Sequence, residues 1–399
     1  MRRAQGNLGL SRLVLLLIFA LSSLNCAEDS SASGCACLDA PPGSDDDDSG
    51  YSIVPDDDDS GDDDASDDDS GDDDSGDDDS GDDDSAEIVD ITEFLPPCQG
   101  GIVTAFTSDE IAPPEADSEG YLRPSEDTLA AVAGSLQSLL DGDYQVALAL
   151  AALVSYELCS GEDEEYGTAL WRPRPLLGGG STGRTLFAWR SLAARPVVLG
   201  VPHPWFESGT LEEGVTAFHD LQARALVVSG THRCANASGS SCDGTTSVCS
   251  GAGEAESFRE SDMAHMDVTI YQRIHEVLAQ HYDQDWVVSL HGMADDGISI
   301  SNGTELDSAA GQPEALLGAA LAQAFPLESV TSCNDWPGAL VYTRLCGTTN
   351  TQGRYLNGSA DACGAEASES SGRFIHLEQS ALIRAQAEIV IDALGSVLP

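Results

Sequence analysis

The sequence contains no lysine, and all 17 of its basic residues other than histidine are arginine. This absence excludes three kinds of site that need a lysine amine: a phosphate-binding Walker-A loop, a Schiff-base centre and a serine–lysine dyad. Positive charge is scarce as a whole, because 69 acidic residues give a formal net charge of −52. Such a chain repels nucleic acids and anionic lipid surfaces, so we expect no nucleic-acid partner.

The first residues contain an apolar run that is too short to cross a membrane. Leu13–Leu21 spans nine residues, whereas a spanning helix needs about 20. Three arginines precede the run, and the segment SSLNC, which ends at Cys26, is similar to a bacterial lipoprotein cleavage box. We therefore expect residues 1–26 to be an export signal and Cys26 to carry a lipid that anchors the protein to a membrane of the bacterial cell envelope. Simple secretion is the alternative.

The 11 cysteines show no CxxC spacing of the kind found in zinc knuckles. An exported chain lies in an oxidising compartment, where disulfides form and persist. Ten cysteines remain if Cys26 carries a lipid, and we expect most of them to be paired. Cys234, Cys242 and Cys249 lie in a loop rich in glycine and serine that disulfides would hold in place, although the sequence does not give the pairing.

Residues 27–96 have the composition of a disordered linker. The segment that starts at Ser70, SGDDDSGDDDSGDDDS, repeats every five residues and contains nothing apolar to bury. Like charges extend such a chain, so we interpret it as a spacer that lifts the following domain away from a membrane. The alternative is a weak calcium-binding segment, but the repeat lacks the ligand pattern of an EF-hand loop.

Residues 97–399 have a globular composition, and their pattern alternates between strands and helices. Continuous apolar strands separated by helices predict an α/β domain with a mostly parallel or mixed sheet and helices on both faces. The segment 172–184 is rich in proline and glycine and is predicted to be a loop. The predicted helices are 123–142, 145–161, 210–223, 259–282, 311–325 and 381–398, and the predicted strands are 195–201, 224–230, 285–293, 339–345 and 373–380.

Charged and polar side chains lie at the ends of four predicted strands. In such sheets functional sites gather at the carboxyl ends of the strands. A hydrolytic zinc centre takes three His or Glu ligands, leaves a position open for water, and needs a separate carboxylate to move the proton. His203, Glu207 and His291 are the expected ligands of one zinc ion, and Glu378 is the expected proton shuttle. Arg233 is the expected catalytic arginine, which stabilises the oxyanion or binds the substrate's own carboxylate. The strand ends contribute His203 and Glu207, His232 and Arg233, His291, and Glu378.

Six short motifs carry a resemblance to a known family. VPHPWFESGT, VVSGTHR, RESDMAH, VVSLHGM, TNTQGRYLNG and FIHLEQSALIR together resemble the N-formylglutamate amidohydrolase group, whose fold is similar to that of the zinc carboxypeptidases. The resemblance covers about residues 195–399. It implies the same three zinc ligands and Glu378 as general base and acid, with Arg233, Arg259, Asn350 and Arg354 as candidates for substrate contact. Zinc carboxypeptidases separate the first His and Glu by two residues, whereas three separate His203 and Glu207 here.

Several residues have a simpler interpretation beside a functional one. Asp262 and His265 have a spacing that suits a metal, but helix capping by Asp262 or its neighbour explains the acid more simply. His232 is interpreted as structural, while His219, His275 and His281 are expected to pack within or on helices. GGSTG at 179–183 satisfies the nucleophile-elbow pattern, yet the proline-rich segment before it is not the apolar strand that an elbow requires.

These observations together predict an exported zinc-dependent amidohydrolase. The expected substrate is a small amide or peptide with a free carboxylate, because several arginines lie in the matched motifs of an otherwise acidic chain. The alternative is a cell-surface binding module that keeps the pocket without turnover. The two hypotheses differ at Glu378, whose carboxylate is needed for turnover but not for binding.

Overall fold

The computed structural model describes residues 90–100, 113–161, 168–174, 181–191, 194–251, 253–342 and 345–399. The predicted export signal, Cys26 and the linker up to residue 89 lie outside the described residues. Within the described part of the chain, no helix is long and apolar enough to cross a bilayer. Ile91 and Leu95, which fall within the predicted linker, are buried in the apolar core.

Two helices precede the first strands, and helices and strands mostly alternate from residue 195 onward. The helices are α1 Glu126–Leu140, α2 Tyr144–Leu153, α3 Thr210–Asp220, α4 Ile270–His281, α5 Pro313–Ala324, α6 Thr351–Leu356, α7 Ala381–Arg384 and α8 Ala387–Val397. The strands are β1 Tyr156–Ser160, β2 Thr168–Pro173, β3 Leu186–Arg190, β4 Arg195–Val201, β5 Ala223–Val228, β6 Thr245–Thr246, β7 Glu256–Ser257, β8 Trp286–Gly292, β9 Ile298–Ser301, β10 Val330–Ser332 and β11 Phe374–Gln379.

Nine of these strands form one mixed sheet in the order β1-β2-β3-β5-β4-β8-β11-β9-β10. The central strands β5, β4, β8 and β11 are parallel, whereas β1, β2 and β3 pair in antiparallel fashion beside β5. On the other side, β9 runs antiparallel to β11. The parallel strands therefore all end at the same edge of the sheet.

Helices cover both faces of this sheet. On one face, α3, α5 and α8 pack against strand residues such as Leu199 and Leu377. On the other face, α1, α2 and α4 pack against residues such as Val198 and Phe374. Burial on both faces explains the continuous apolar sequence of the central strands. The predicted mixed α/β fold with helices on both faces is confirmed.

Some predicted elements have different bounds in the structure. The helix predicted over 145–161 ends at Leu153, because Ser155 takes a left-handed backbone with a φ of 60°, and β1 follows. The strands β2, β3 and β9 were not predicted. The proline- and glycine-rich sequence around β2 and β3 concealed the first two, and β9 is only four residues long.

Two further predictions at the carboxyl-terminal half need correction. The helix predicted over 259–282 begins only at Ile270, where the side chain of Thr269 accepts a hydrogen bond from the backbone and caps the helix. Of the strand predicted over 339–345, the described part contains a single bridge between Val341 and Ser332. The edge strand β10 lies upstream of it instead.

Four disulfides lie within the described residues, so the prediction that the cysteines pair is confirmed for eight of them. The bond between Cys242 and Cys363 closes a sequence separation of 121 residues, whereas Cys234 and Cys249 are separated by 15. Both bonds hold the loop that follows β5. The other two pairs are Cys98–Cys159 and Cys333–Cys346.

We expect the two disulfides of this loop to contribute differently to stability. In the chain-entropy account, a bond that closes a longer loop removes more freedom from the unfolded chain, which gives about 3 kcal/mol for 15 residues and about 5 kcal/mol for 121 residues. Replacing Cys242 and Cys363 by alanine should therefore lower the free energy of unfolding more than replacing Cys234 and Cys249. Urea unfolding of both double variants measures this, and an equal or reversed order would contradict it.

Candidate metal centre

The site lies where β4, β8 and β11 end side by side. Glu378 of β11 pairs with His291 of β8, and Gly200 of β4 pairs with Ser289. Side chains alternate along a strand, so Ser289, His291 and Glu378 project from the same face, the one covered by α4. His203 follows two residues after β4 ends and reaches the same edge.

A single helical turn brings His203 and Glu207 together. The amide of Glu207 donates to the carbonyl of His203 at 2.9 Å, and residues four apart on such a turn share a face. As a result, His203 Nδ1 lies 2.8 Å from Glu207 Oε1, and both side chains are buried. The three-residue spacing, which departs from the carboxypeptidase pattern, therefore still places the two ligand atoms beside each other.

His291 completes a group of three potential ligands. Its Nδ1 atom lies 3.5 Å from Glu207 Oε2, while Nε2 lies 3.0 Å from the hydroxyl of Ser289. The ligand atoms of His203, Glu207 and His291 all lie within 4.8 Å of one another. Two imidazoles and a carboxylate are the donor set of a hydrolytic zinc site, and the hydrogen-bonded Ser289 fixes the ring of His291.

Asp262 contacts the ring nitrogen of His203 that does not face Glu207. Asp262 Oδ1 lies 2.8 Å from His203 Nε2, and Oδ2 accepts a hydrogen bond from Arg233 Nε at 2.9 Å. Burial alone would raise the pKa of Asp262, but the charges of Arg233 and His203 outweigh it and hold that pKa well below its usual value. The ionised carboxylate thus accepts a hydrogen bond from the Nε2–H of His203 and leaves Nδ1 to face the centre. The interpretation of Asp262 as a helix cap is wrong, because α4 starts eight residues later.

The contacts of His203 show that the centre needs a cation. Both ring nitrogens lie 2.8 Å from carboxylate oxygens, yet a neutral imidazole carries only one N–H. The contact with Glu207 therefore requires a second proton or a metal ion between the two atoms. Burial and Arg233 lower the pKa of His203, but the carboxylates of Asp262 and Glu207 outweigh both and raise it. A protonated His203 therefore bridges the two carboxylates in the absence of a metal, and a metal ion bound at Nδ1 would replace that proton.

Glu378 lies beside the group of three ligands rather than within it. Its Oε1 atom is 3.9 Å from His291 Nδ1, and the residue is 7% exposed. Burial raises the pKa of Glu378 to about 7, although the charge of His291 opposes the shift. A carboxylate with a pKa near neutrality is suited to accept a proton and to release it again. Burial also raises the pKa of Glu207, but the charges of His203 and His291 reverse that effect and lower it.

Of the arginines expected at the site, the structure brings Arg233 there. One of its guanidinium nitrogens lies 2.7 Å from Asp262 and another lies 3.7 Å from Glu207. Arg259 instead pairs with Glu256 at 2.6 Å.

Two other expected substrate contacts have structural partners. Asn350 caps α6 by accepting a hydrogen bond from the amide of Gly353. Arg354 is fully buried and donates to the carbonyls of Thr348 and Cys363. Gly353, next to Arg354, lies within α6 and packs closely against Phe374. The structure therefore gives Arg354 a role in the folding of this segment and not at the metal centre.

Two histidines near the centre were missed or underrated. His376 precedes Glu378 by two residues on β11, and its ring centre lies 4.5 Å from that of His291. The period of two along a strand could have identified it. His265 stacks on Phe258 with ring centres 3.7 Å apart, and its Nδ1 atom lies 3.1 Å from the carbonyl of Thr349.

Arg384 ties together the three chain segments that carry the site. Its Nε atom donates to the carbonyl of Ser208 at 2.7 Å, and its Nη1 atom donates to the carbonyl of Gln379. These carbonyls are next to Glu207 and Glu378 in sequence. The same guanidinium lies where a Cβ atom at position 292 would be, so a side chain at Gly292, the neighbour of His291, would displace Arg384 from these contacts.

No protein-family model and no curated protein matches this sequence. Among solved structures, a bacteriophage poly-gamma-glutamate hydrolase is similar with 12% identity and a TM-score of 0.30, covering 53% of this chain and 87% of that one. A provisionally named metallopeptidase from Shewanella denitrificans OS217 has 11% identity and a TM-score of 0.28, covering 65% and 92%. Another from Shewanella baltica OS155 has 10% identity and a TM-score of 0.27, covering 70% and 96%. Scores this low carry no argument about the site, which rests on the distances above.

We expect Asp262→Asn to weaken zinc binding about 10- to 100-fold, the usual effect of removing a residue that orients a ligand. The amide has no charge to pair with Arg233 or to hold the proton on His203 Nε2. Competition with a chromophoric chelator measures the affinity without interference from weak sites. Asp283→Asn, at an exposed aspartate, is the matched control. Equal zinc affinity of Asp262→Asn and the control would contradict this role of Asp262.

Proposed function

We propose that this chain is a zinc-dependent hydrolase of amide bonds, with one zinc ion held by His203, Glu207 and His291. The observation that carries the proposal is the convergence of these three buried ligand atoms beside the carboxylate of Glu378. A structural zinc site is closed by four protein ligands, whereas a catalytic site keeps a position open. Glu378 Oε1 lies 3.9 Å from His291 Nδ1, close enough to exchange a proton with a water molecule at the open position.

Zinc in such a site polarises the carbonyl of the substrate and lowers the pKa of a water molecule. Glu378, beside the three ligands, is placed to accept the proton of the attacking water and to pass it to the nitrogen of the leaving amine. Arg233 places a fixed positive charge beside Glu207, which favours the negative charge that develops on the carbonyl oxygen.

A cavity of about 400 Å³ next to Glu378 provides space for the substrate. Its floor contains Ser299, which pairs with Glu378 across the sheet, and Thr331, which pairs with Ser299. Paired residues of neighbouring strands point to the same face, so Ser299 and Thr331 share the face of Glu378, which is what supports this cavity as the place of the substrate. Met293, which follows β8, forms part of its wall.

We also propose that the substrate is small and bears a carboxylate, as in an N-acyl amino acid or a short peptide. Arg233 is the arginine that supports it, because its guanidinium lies beside Glu207 at the metal centre, whereas Arg259 and Arg354 have their partners elsewhere. An export signal at 1–26, a lipid on Cys26 and an acidic spacer at 27–96 would place this activity at the bacterial cell envelope, attached to a membrane.

Glu378→Gln should retain zinc and the fold, since the amide is nearly isosteric with the carboxylate. It should lower kcat about 10²- to 10⁴-fold, the usual contribution of a positioned acid–base group. The assay is release of amine from a panel of N-acyl amino acids and short peptides, with zinc content measured on the same samples. Glu388→Gln, at an exposed position of α8, is the control and should be fully active.

Wild-type kcat in Glu378→Gln on any substrate that the parent hydrolyses would rule out this residue as the proton shuttle. If the zinc-loaded parent binds members of the panel but hydrolyses none, the protein is a binding module instead.

A further inference from the structure

A row of paired residues crosses the sheet from Glu378 along the cavity beside it. Ser299 of β9 pairs with Glu378, and Thr331 of β10 pairs with Ser299. Paired residues point to the same face, so all three belong to one face of the sheet, and Ser299 and Thr331 line the cavity. Helix α5 covers the opposite face of β9 and β10, whereas the cavity lies on the face of Glu378.

The row ends at the apolar side chains of Leu340 and Tyr342. Val341 forms a parallel bridge with Ser332, so Leu340 lies next to Thr331 on the same face, and Tyr342 follows on that face two residues later. Leu340 is 59% exposed and Tyr342 is 49% exposed, and both line the cavity. Neighbouring exposed apolar side chains at the wall of a cavity are typical of a ligand-binding surface.

A disulfide holds this apolar wall in place. Cys333 and Cys346 are bonded across a sequence separation of 13 residues, and the segment between them contains Leu340 and Tyr342. Both cysteines are buried, and the hydroxyl of Ser301 donates to the carbonyl of Cys346. A wall that is fixed before the ligand arrives loses little freedom on binding, which favours affinity.

The cavity suits a hydrocarbon chain better than a peptide backbone. A peptide needs a partner for each of its N–H and C=O groups, but the hydroxyl of Thr331 already donates to the carbonyl of Ile298 at 3.1 Å. Met293 adds a further apolar side chain to the wall. Among the residues that the structure describes, the charged ones that line the cavity are Asp295 and Asp296. Their negative charge disfavours a carboxylate in this space.

The strand order places the carboxylate of the substrate at the other end of the site. Arg233 follows β5, which lies on the far side of β4 and β8 from β11, whereas the cavity extends over β9 and β10 on the opposite side of β11. A substrate with its amide at the metal centre thus directs its carboxylate towards Arg233 and its acyl group towards Leu340. Three spacings between neighbouring strands, about 14 Å in all, separate Glu378 from Leu340, and an extended chain of about ten carbon atoms covers this length.

We propose that the cavity binds the aliphatic acyl chain of an N-acyl amino acid, and that Leu340 and Tyr342 select for the length of this chain. The inference rests on the proposed hydrolysis of an amide at the metal centre. Hydrolysis adds the hydroxyl of water to the acyl carbon and a proton to the nitrogen, so it releases a fatty acid and a free amino acid. A formyl or acetyl group leaves the cavity unfilled and binds more weakly.

Calorimetric titration of the metal-free full chain measures binding without hydrolysis. The ligands are N-acetylglycine, N-butanoylglycine and N-octanoylglycine. Each methylene that becomes buried should raise the affinity about two- to fourfold, so the octanoyl ligand should bind about 50-fold more tightly than the acetyl ligand, or better. An octanoyl chain that ends in a second carboxylate should lose most of this gain, because it meets Asp295 and Asp296.

Leu340→Ser and Tyr342→Ser should each reduce the preference for N-octanoylglycine over N-acetylglycine at least about threefold, because less apolar surface is buried. Leu153→Ser, at an exposed position of α2, is the matched control and should keep the full preference. Hydrolysis of the same ligands by the zinc-loaded wild type tests the proposed function separately.

Failure of N-octanoylglycine to bind at millimolar concentrations, or equal binding of the acetyl and octanoyl ligands, would overturn the inference. Tighter binding of N-acetyl-dileucylglycine than of N-octanoylglycine would overturn it in favour of a peptide. Hydrolysis whose kcat/KM does not depend on chain length would support the proposed function and refute the acyl-chain site. Binding that depends on chain length without any hydrolysis would support the acyl-chain site and refute the proposed function.

Discussion

The structure depends on how a group of buried negative charges is balanced. Glu207, Asp262 and Glu378 are all at most 7% exposed and lie at one edge of the sheet, and Arg233 is the arginine that contacts two of them. Unpaired buried charge costs several kcal/mol. Without metal, bound protons compensate part of this negative charge, because the pKa of His203 is raised and that of Glu378 is raised to about 7. A divalent cation between His203, Glu207 and His291 would replace the proton on His203.

The sheet supplies the rigidity that such a balance requires. Because β4, β8 and β11 are adjacent and parallel, their ends bring His203, His291 and Glu378 to one edge from positions far apart in the sequence. Arg384 then binds the backbone next to Glu207 and Glu378, and the absence of a side chain at Gly292 makes room for it. Ligands fixed in this way need little rearrangement when a metal binds, which favours affinity.

The sequence predicted the parts of the site that follow local rules. Polar residues at the end of an apolar run indicated His203, Glu207, His291 and Glu378, because the pattern of apolar residues shows where a strand ends. Asp262 was misread, since its partner His203 is 59 residues away and only the tertiary fold brings them together. Arg354 was expected at the substrate from the resemblance alone, whereas the fold buries it against the carbonyls of Thr348 and Cys363. The disulfide pairs likewise depend on long-range contacts.

The central claim is that one zinc ion is bound by His203, Glu207 and His291. The most direct measurement is a crystal of the zinc-loaded protein with diffraction recorded on both sides of the zinc absorption edge. The account predicts an anomalous peak at about 2.0–2.2 Å from His203 Nδ1, His291 Nδ1 and a carboxylate oxygen of Glu207, with Asp262 still bonded to His203 Nε2. A peak elsewhere in the chain, with these three side chains free of metal, would contradict it.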